Sequence, residues 1–367
     1  MPVLDDPAAL RRIDKGDMLG ALAGLPAQVR EGGARGRGLQ PRSQAAPRAV
    51  LFAGMGGSAM GAEAASLWLR SHTSLPCAVE RSYAPPGWAG KETLLVAVSY
   101  SGDTEETLAC TQAAAARGAR VLAVTSGGKL AAWAEQQGAD LVRVPSGLQP
   151  RAALGHLAFT TLGALERLGV ARLGSEPEAL AARLEAARGD LAATTPETQN
   201  PAKRLARALE GRIAFVYAAG PLAVAAQRFA TQLNENAEVL AHWAPLPEAH
   251  HNEVTAWFGD PALRSAVRPV VFLGAEAGSP LAVREQATVA LLREAGAEPF
   301  EVAVPAGSVL EQVFQAIYVG DYASVYLACL RGRDPTPVEP IQRLKARLAS
   351  LRGGGPGHVP RRDTGSR

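Results

Sequence analysis

The chain has 367 residues, enough for about two domains of roughly 150 residues each, which excludes a single small module. Hydrophobic residues make up 47% and charged residues 20% of the chain, the balance of an ordinary globular protein, which excludes disorder over most of the length. The formal net charge of +3 originates at the C-terminal end: from Arg343 onward, seven Lys/Arg stand against one acid, Asp363, giving +6 and leaving −3 for the rest. A body without excess basic charge has no electrostatic footprint for nucleic acid, so no nucleic-acid partner is expected.

The cysteines and the apolar runs indicate the compartment. Cys77, Cys110 and Cys329 are odd in number and form no C-x-x-C pair, which favours a reduced, intracellular chain. Residues 1–6 are acidic and carry no apolar segment typical of a signal peptide. The longest nearly apolar run, Ile213 to Ala226, contains a Gly-Pro interruption and falls short of the ~18 residues of a membrane span. We therefore expect a soluble, cytoplasmic protein with no membrane partner.

Residues 1–47 are expected to be a helical lead-in rather than a domain. A helical pattern from about Lys15 to Glu31 is followed by Gly/Arg/Pro-rich Gly32 to Pro47, which predicts a loop. From Arg48 onward, short β-branched runs that end in Gly or Ser alternate with Ala/Leu-rich amphipathic segments, a pattern typical of parallel α/β structure. The predicted strands of this region are Ala49–Ala53, Cys77–Glu80, Leu94–Val98, Val121–Val124 and Leu141–Val144.

The same order of patterns then recurs. The run Arg48 to Gly54 and its helix are matched by Arg212 to Gly220 and the next helix, and the strands at 94–98 and 121–124 are matched by 269–273 and 300–304. Two α/β/α sandwiches, each with a mainly parallel sheet, are the economical interpretation. The predicted layout is a lead-in at 1–47, a first domain at 48–165, a helical link at 166–207, a second domain with a C-terminal helix at 208–351, and a disordered tail at 352–367.

The first glycine-rich loop, Gly54-Met-Gly-Gly-Ser-Ala-Met-Gly61, follows a predicted strand and opens a helix. In that context backbone N–H groups around Gly57 and Ser58, together with the helix dipole, receive a negative group. The loop alone leaves three interpretations open: a phosphate site, a tight turn without ligand, and a dinucleotide site in which Glu80 takes a ribose hydroxyl.

The second loop favours phosphate. Ser99, Ser101 and Thr104 place three hydroxyls within one turn of a helix N-terminus, a set that suits a compact dianion. Helix capping by Ser101 or Asp103 is the simpler alternative, but one cap explains only one of these residues, not three hydroxyls. The second repeat has Gly274-Ala-Glu-Ala-Gly-Ser279 at this place, so we expect the first repeat to hold the anion. No lysine follows in a P-loop arrangement, which disfavours nucleoside triphosphate hydrolysis.

The two loops resemble those of sugar isomerase (SIS) domains. The later segments Gln232-Leu-Asn-Glu-Asn-Ala-Glu-Val239 and Leu246-Pro-Glu-Ala-His-His-Asn-Glu253 are similar to the bifunctional phosphoglucose/phosphomannose isomerases of that superfamily, and the similarity extends over most of residues 13–350. The resemblance implies two SIS-type domains and a phosphosugar substrate. It also implies interconversion of glucose 6-phosphate, and of mannose 6-phosphate, with fructose 6-phosphate through a cis-enediolate, with no cofactor and no metal. A homodimer whose active site is shared between subunits is the implied assembly.

The resemblance also implies roles for individual residues. Glu235 is the base that moves the proton between C1 and C2, although a glutamate on an Ala-rich helix is otherwise usually a solvated surface residue. Arg151, just past the last strand of the first repeat, stabilises the enediolate or the sugar oxygens, the alternative being a surface arginine after a proline turn. His251, supplied by the neighbouring subunit, opens the sugar ring, the alternative being a structural histidine. Lys345 binds sugar hydroxyls or phosphate, the alternative being a solvated helix face.

Two other functions stay open at this stage. A non-catalytic phosphosugar sensor of the SIS type would carry a DNA-binding appendage, and residues 1–47 contain no convincing helix-turn-helix. A related SIS enzyme acting on amino sugars would be expected with an amidotransferase domain and its N-terminal nucleophilic cysteine, whereas the first cysteine here is Cys77.

Overall fold

The computed structural model describes residues 3–353 and contains two parallel β-sheets flanked by helices. The first sheet has the order β2-β1-β3-β4-β5, and every adjacent pair is parallel. Its central strand β3 is buried along its whole length, which explains why its sequence is a continuous apolar run rather than an alternating one. All five predicted strands are confirmed within one residue at each end: β1 Ala49–Ala53, β2 Cys77–Glu80, β3 Thr93–Val98, β4 Arg120–Thr125 and β5 Asp140–Arg143.

The second sheet repeats the first without its last strand. Its order β7-β6-β8-β9 corresponds to β2-β1-β3-β4, so the predicted internal repeat is confirmed and β5 has no counterpart. The sequence pattern does not indicate β7, because Pro245 lies within it; β7 is an edge strand, where a missing N–H is tolerated. The strands of this sheet are β6 Ile213–Ala219, β7 Ala241–Leu246, β8 Val267–Leu273 and β9 Phe300–Ala303.

The N-terminal segment is more helical than predicted. It contains α1 Pro7–Ile13, α2 Met18–Ala23 and α3 Leu25–Arg37, so the expected loop from Gly32 begins only after Arg37. A Cβ on Gly36 would lie 2.3 Å from the Thr160 carbonyl oxygen. The glycines of α3 therefore serve close packing of α3 against helix α7 (Leu154–Arg167) rather than chain reversal.

The remaining helices pack on the sheets and between them. The predicted boundary after residue 165 falls inside α7, and the predicted link at 166–207 contains α8 and most of α9. Helix α14 continues two residues into the predicted disordered tail at 352–367, and residues 354–367 of that tail lie outside the described part of the chain. These helices are α4 Gly56–His72, α5 Glu105–Ala116, α6 Gly128–Gln136, α8 Glu176–Leu191, α9 Pro201–Ala208, α10 Ala223–Asn236, α11 Pro261–Ser265, α12 Pro280–Glu294, α13 Val309–Leu330 and α14 Glu339–Gly353.

Helix α13 lies at the centre of the molecule. Within residues 3–353 it is the one helix long and apolar enough to cross a membrane, and 83% of its most apolar window is buried inside the protein. It packs against α8, α9 and α10, and its apolar side chains join one continuous hydrophobic core that includes Val50 on β1 and Val270 on β8. A helix that is apolar on all sides fits such a position. Because one core spans both sheets, side chains from the two halves are held at fixed positions relative to each other.

Candidate active site

The N-terminus of α4 has no side-chain cap. Its cap residue, Met55, has extended backbone and provides no side-chain acceptor for the first N–H groups of the helix. A Cβ on Gly57 would lie 2.9 Å from the Cα of Arg151, so this turn packs directly on the Arg151 backbone. The Ser58 hydroxyl is buried and accepts a hydrogen bond from the Tyr100 N–H at 3.0 Å, which joins this loop to the next one.

The loop between β3 and α5 joins two of the three predicted hydroxyls, those of Ser99 and Thr104. The Ser99 hydroxyl donates to Thr104 Oγ1 at 3.0 Å and accepts from the Gly102 N–H at 3.2 Å, and the Ser101 hydroxyl accepts from the Asp103 N–H at 3.2 Å. Thr104 is the cap residue of α5, but its side chain accepts no bond from the helix. Local turn bonds therefore use these oxygens as acceptors, while in the described structure the Ser101 and Thr104 O–H groups donate to no protein acceptor.

Gly102 determines the shape of this loop. It has a φ of +74°, and a Cβ there would lie 1.9 Å from the Gly127 carbonyl oxygen. Glycine is consequently required both for the left-handed backbone and for the close approach of the next loop.

Glu235 and Arg151 meet across the two halves of the molecule. Arg151 lies in a 3-10 turn, Pro150–Ala152, after the last strand of the first sheet, and Glu235 lies in the last turn of α10. Arg151 Nη1 is 3.6 Å from Glu235 Oε2; the arginine side chain is 2% exposed and the glutamate side chain 25%. Neither residue is the surface residue that the simpler interpretation expected. The pair stands beside the α4 turn, because Gly57 packs on the Arg151 backbone.

The guanidinium of Arg151 is fixed by three hydrogen bonds. Its Nε donates to Asn236 Oδ1 at 2.6 Å, and its Nη2 donates to the carbonyl oxygens of Pro335 at 2.7 Å and Thr336 at 2.8 Å. Burial lowers the pKa of Arg151, and the negative charge of Glu235 opposes that change. An arginine pKa starts so high that the group stays cationic at neutral pH.

A buried ion pair lies next to Arg151 and was not predicted from the sequence. Arg228 on α10 and Asp321 on α13 lie 2.7 Å apart with side chains 1% and 2% exposed, and Arg228 Nη2 also donates to the Arg151 carbonyl oxygen at 2.7 Å. The signal that could have indicated this pair is Asp321 in the middle of the apolar helix α13, because a charged side chain at such a position requires a buried partner.

His251 lies apart from Glu235 and Arg151. It ends the 3-10 helix Glu248–His251 after β7, it is exposed, and within the described residues no hydrogen bond joins it to either of them. Its neighbour His250 is held instead: Nε2 lies 2.7 Å from Thr288 Oγ1, and Arg284 Nη1 lies 3.1 Å from Nδ1. Burial, and then the Arg284 charge, lower the pKa of His250.

The following turn is held as well. Glu253 accepts a hydrogen bond from the Tyr217 hydroxyl at 2.5 Å, and its other oxygen lies 3.0 Å from His242 Nε2. His251 is therefore an exposed side chain on a segment anchored on both sides.

Lys345 is also apart from the Arg151–Glu235 pair. It lies on α14, where residues 341–350 are all exposed, and no contact joins it to the residues described above. The segment just before α14 does reach the site, because Pro335 and Thr336 supply the carbonyl oxygens that hold Arg151.

The second repeat has a different arrangement at the position of the hydroxyl loop. A cavity of about 1070 Å³ opens there, lined among others by Glu276, Glu285 and Gln312. The buried Glu285 carboxylate accepts hydrogen bonds from the N–H groups of Gly274 and Ala275 at 3.2–3.3 Å. Burial raises the pKa of Glu285, while these N–H groups oppose the change. A carboxylate of the chain itself thus occupies the N–H groups of this loop.

Comparison with known proteins agrees with this architecture. Residues 198–348 match the family described as the bacterial phospho-glucose isomerase C-terminal SIS domain, and residues 45–136 match the SIS domain. A solved structure of a hypothetical protein from Thermus thermophilus has a TM-score of 0.75 at 19% identity, covering 96% of this chain and 95% of that one.

Curated relatives extend over most of the chain. A D-glucosamine-6-phosphate 4-epimerase from Sulfolobus acidocaldarius is 28% identical over 309 residues, 83% of this chain and 91% of the relative. A bifunctional phosphoglucose/phosphomannose isomerase from Caldicellulosiruptor bescii is 35% identical over 305 residues, 83% of this chain and 90% of the relative. With a family match in each half of the chain and 35% identity over 90% of the isomerase from Caldicellulosiruptor bescii, the chain belongs to the bifunctional phosphoglucose/phosphomannose isomerase family.

Proposed function

We propose that this chain catalyses the reaction for which its family is named, interconverting glucose 6-phosphate and mannose 6-phosphate with fructose 6-phosphate by proton transfer through a cis-enediolate. The observation that carries the mechanism is the 3.6 Å approach of the buried Arg151 guanidinium to the Glu235 carboxylate, beside the N-terminus of α4, which carries no side-chain cap bond. A base, a cation and an anion site in one place are what this reaction requires.

The phosphate binds at the first repeat. The N–H groups at the start of α4 around Gly57 and Ser58 receive it, together with the hydroxyls of Ser99, Ser101 and Thr104. The lack of a side-chain cap on α4 and the Ser101 and Thr104 O–H donors support this assignment. Because the α4 turn packs on Arg151, a sugar held there by its phosphate has its carbonyl end within reach of the other half of the molecule.

The proton moves on Glu235. Its carboxylate takes the proton from C2 of the aldose and returns it to C1 of the enediolate, while the hydroxyl proton of O2 passes to O1 and Arg151 offers the two N–H groups of Nη1 to the developing oxyanion. Reprotonation of a planar cis-enediolate on either face of C2 yields either aldose, so one base serves both hexose phosphates.

Ring opening and assembly form one further part of the proposal: a homodimer in which His251 of each subunit reaches the partner's site. Two observations support it. His251 is exposed on an anchored segment, and α14 carries an exposed apolar stripe beside Lys345. In this dimer Lys345 binds sugar hydroxyls or phosphate. The apolar residues of that stripe are Ile341, Leu344, Leu348 and Leu351.

A cytoplasmic location completes the proposal. The three cysteines, all unpaired in the structure, support a reducing compartment.

The test is a coupled assay of the purified protein with each hexose phosphate, run with and without a chelator. Glu235→Gln is expected to lower kcat by about 10²–10⁴-fold, because removing a positioned acid–base group costs that much. Affinity for fructose 6-phosphate, measured by calorimetry, should stay within about threefold because the phosphate contacts remain. The matched control is Glu238→Gln, an exposed acid one turn away, which should leave turnover unchanged.

Three results would contradict the proposal. Unchanged turnover in Glu235→Gln would remove this residue from the base role. Loss of activity with chelator would contradict the metal-free scheme. Turnover of amino-sugar phosphates, with none of glucose 6-phosphate or mannose 6-phosphate, would favour the activity named for the epimerase relative.

A further inference from the structure

We infer that Asn236 is a positioning residue for the isomerisation. It holds the Arg151 guanidinium so that Nη1 faces the Glu235 carboxylate and the oxygens of the reacting carbons. This inference rests on the roles proposed above for Arg151 and Glu235, and it assigns a function to a neutral side chain that touches neither substrate nor the base.

The hydrogen bonds of Arg151 show how its orientation is set. A guanidinium is planar and carries five N–H donors in a fixed arrangement. Asn236 Oδ1 takes the Nε donor, and the carbonyl oxygens of Pro335 and Thr336 take both Nη2 donors. Bonds on two edges of the plane fix its rotation. Within the described residues the Nη1 donors have no bonded acceptor, because Glu235 Oε2 at 3.6 Å is beyond hydrogen-bond distance. These two donors are the ones left for a substrate oxygen.

The amide of Asn236 is itself oriented by its neighbours. The residue is 1% exposed, its Nδ2 donates to Ser324 Oγ at 2.8 Å, and the Ser324 hydroxyl donates to the Asp321 carbonyl oxygen at 2.7 Å. Because the serine proton is already engaged, the serine oxygen accepts the amide N–H. This places the amide oxygen toward Arg151.

The charge balance explains why a neutral amide occupies this position. The buried cluster contains two cations, Arg151 and Arg228, and two anions, Asp321 and Glu235. Arg228 and Asp321 neutralise each other at 2.7 Å, which leaves the Arg151 charge for Glu235 and for the enediolate. An amide oxygen fixes the guanidinium without neutralising it, whereas a carboxylate at position 236 would compete with the oxyanion for the same cation.

The experiment is Asn236→Asp, which keeps the size of the side chain and adds the competing charge. We expect kcat for fructose 6-phosphate to fall about ten- to a hundredfold while KM changes by less than about threefold, because the lost stabilisation acts on the transition state. Inhibition by 5-phosphoarabinonate, whose carboxylate carries the charge of the enediolate, should weaken by the same factor.

A matched control lies on the same helix. Asn234 is exposed and flanks Glu235 on its other side, and its Oδ1 accepts from the Ala241 N–H at 3.2 Å instead of contacting Arg151. Asn234→Asp adds the same charge near Glu235 and should leave kcat, KM and the inhibition constant within about twofold.

A second variant keeps the test decisive if Asn236→Asp does not fold. Ser324→Ala removes the acceptor that orients the amide, and we expect a kcat loss of about three- to tenfold with an unchanged KM. Melting temperatures of all variants are measured alongside.

The outcomes separate this inference from the proposed function. If Arg151→Lys lowers kcat but neither Asn236→Asp nor Ser324→Ala moves kcat or the inhibition constant, the positioning role is overturned and the proposed function stands. If Arg151→Lys leaves kcat unchanged, the proposed role of Arg151 fails and the inference fails with it. Equal losses in kcat, in substrate affinity and in melting temperature would overturn the inference in favour of a purely structural role.

Discussion

The same loop position serves opposite purposes in the two repeats. After β3 the chain presents hydroxyls at a helix whose cap residue, Thr104, makes no side-chain cap bond. After β8 the corresponding N–H groups are occupied by the Glu285 carboxylate, and the next helix is capped by Ser279, whose hydroxyl accepts from the Ala282 N–H at 3.2 Å. One topology thus yields a helix without a side-chain cap in the first half, where we propose that the phosphate binds, and a loop whose N–H groups are bonded to side chains in the second.

The comparison shows two ways in which a loop after a strand can lead into the next helix. A helix N-terminus always offers unpaired N–H groups. Whether a ligand can use them depends on whether a side chain of the protein has already taken them. In the first repeat the loop N–H groups bond to serine oxygens and the start of α5 has no side-chain cap bond, whereas in the second repeat a buried carboxylate takes the loop N–H groups and Ser279 caps the helix.

The largest expected effect comes from the glycines of the two loops. Gly102→Ala should lower the free energy of unfolding by about 2–4 kcal/mol and raise KM for fructose 6-phosphate tenfold or more, because a left-handed residue would also collide with the Gly127 carbonyl oxygen. The control is Gly278→Ala in the loop of the second repeat, because Gly278 also has a positive φ of +79° but has open space around it. We expect this variant to lower the free energy of unfolding by about 1 kcal/mol and to leave KM unchanged. Urea unfolding and steady-state kinetics measure both. If Gly102→Ala and Gly278→Ala changed KM equally, the proposal that only the first-repeat loop binds the substrate phosphate would be contradicted.

The hydroxyls provide the next test. Thr104→Val keeps the shape of the side chain and removes a donor, so KM should rise about tenfold with kcat unchanged, as expected for a hydrogen bond to a charged group. Ser279→Ala, the counterpart in the second repeat, should cost about 1 kcal/mol of stability through loss of the cap and leave KM unaffected. A KM that does not respond to Thr104→Val would move the phosphate away from this loop.

The smallest expected effect is a pH-dependent change in the free energy of unfolding when Glu285 is replaced. Burial raises its pKa above the usual value of 4.5 in the folded protein, so the stability this carboxyl contributes is fully present below 4.5 and is lost as pH rises through the raised folded-state pKa. Glu285→Gln removes that titration. The variant should therefore gain stability relative to the native chain as pH rises from 4.5 toward neutrality, by about 1 kcal/mol or less. Parallel unfolding curves at about pH 4.5 and about pH 7.5 measure the difference, and a difference of constant size would show that Glu285 does not titrate between these values.

Much of the fold could be predicted because its signals are local. The strands of the first sheet are short apolar runs bounded by glycine or serine, and the repeat is visible because the same order of runs occurs twice. The glycines of α3 misled the prediction at Gly32–Arg37, because glycine weakens helix propensity locally while the close contact that requires it lies on another helix. β7 was missed for a similar reason, since its proline is acceptable only at a sheet edge, which the local pattern does not reveal.

The residues of the candidate site also divide into those that local sequence signals predicted and those that only the tertiary structure revealed. By itself the sequence determined the two ligand-type loops, since a glycine turn and a cluster of hydroxyls after strands are contiguous in the chain, and it placed Glu235 and Arg151 as candidates through their resemblance to a family. Only the tertiary structure decided that Arg151 contacts Asn236, that Arg228 pairs with Asp321, and that Glu285 occupies its own loop. The physical reason is that the value of a buried charge or amide depends on which partner lies within about 3 Å. In the Arg151 cluster those partners stand 85 and 93 positions apart in the chain, joined only because one hydrophobic core holds both sheets together.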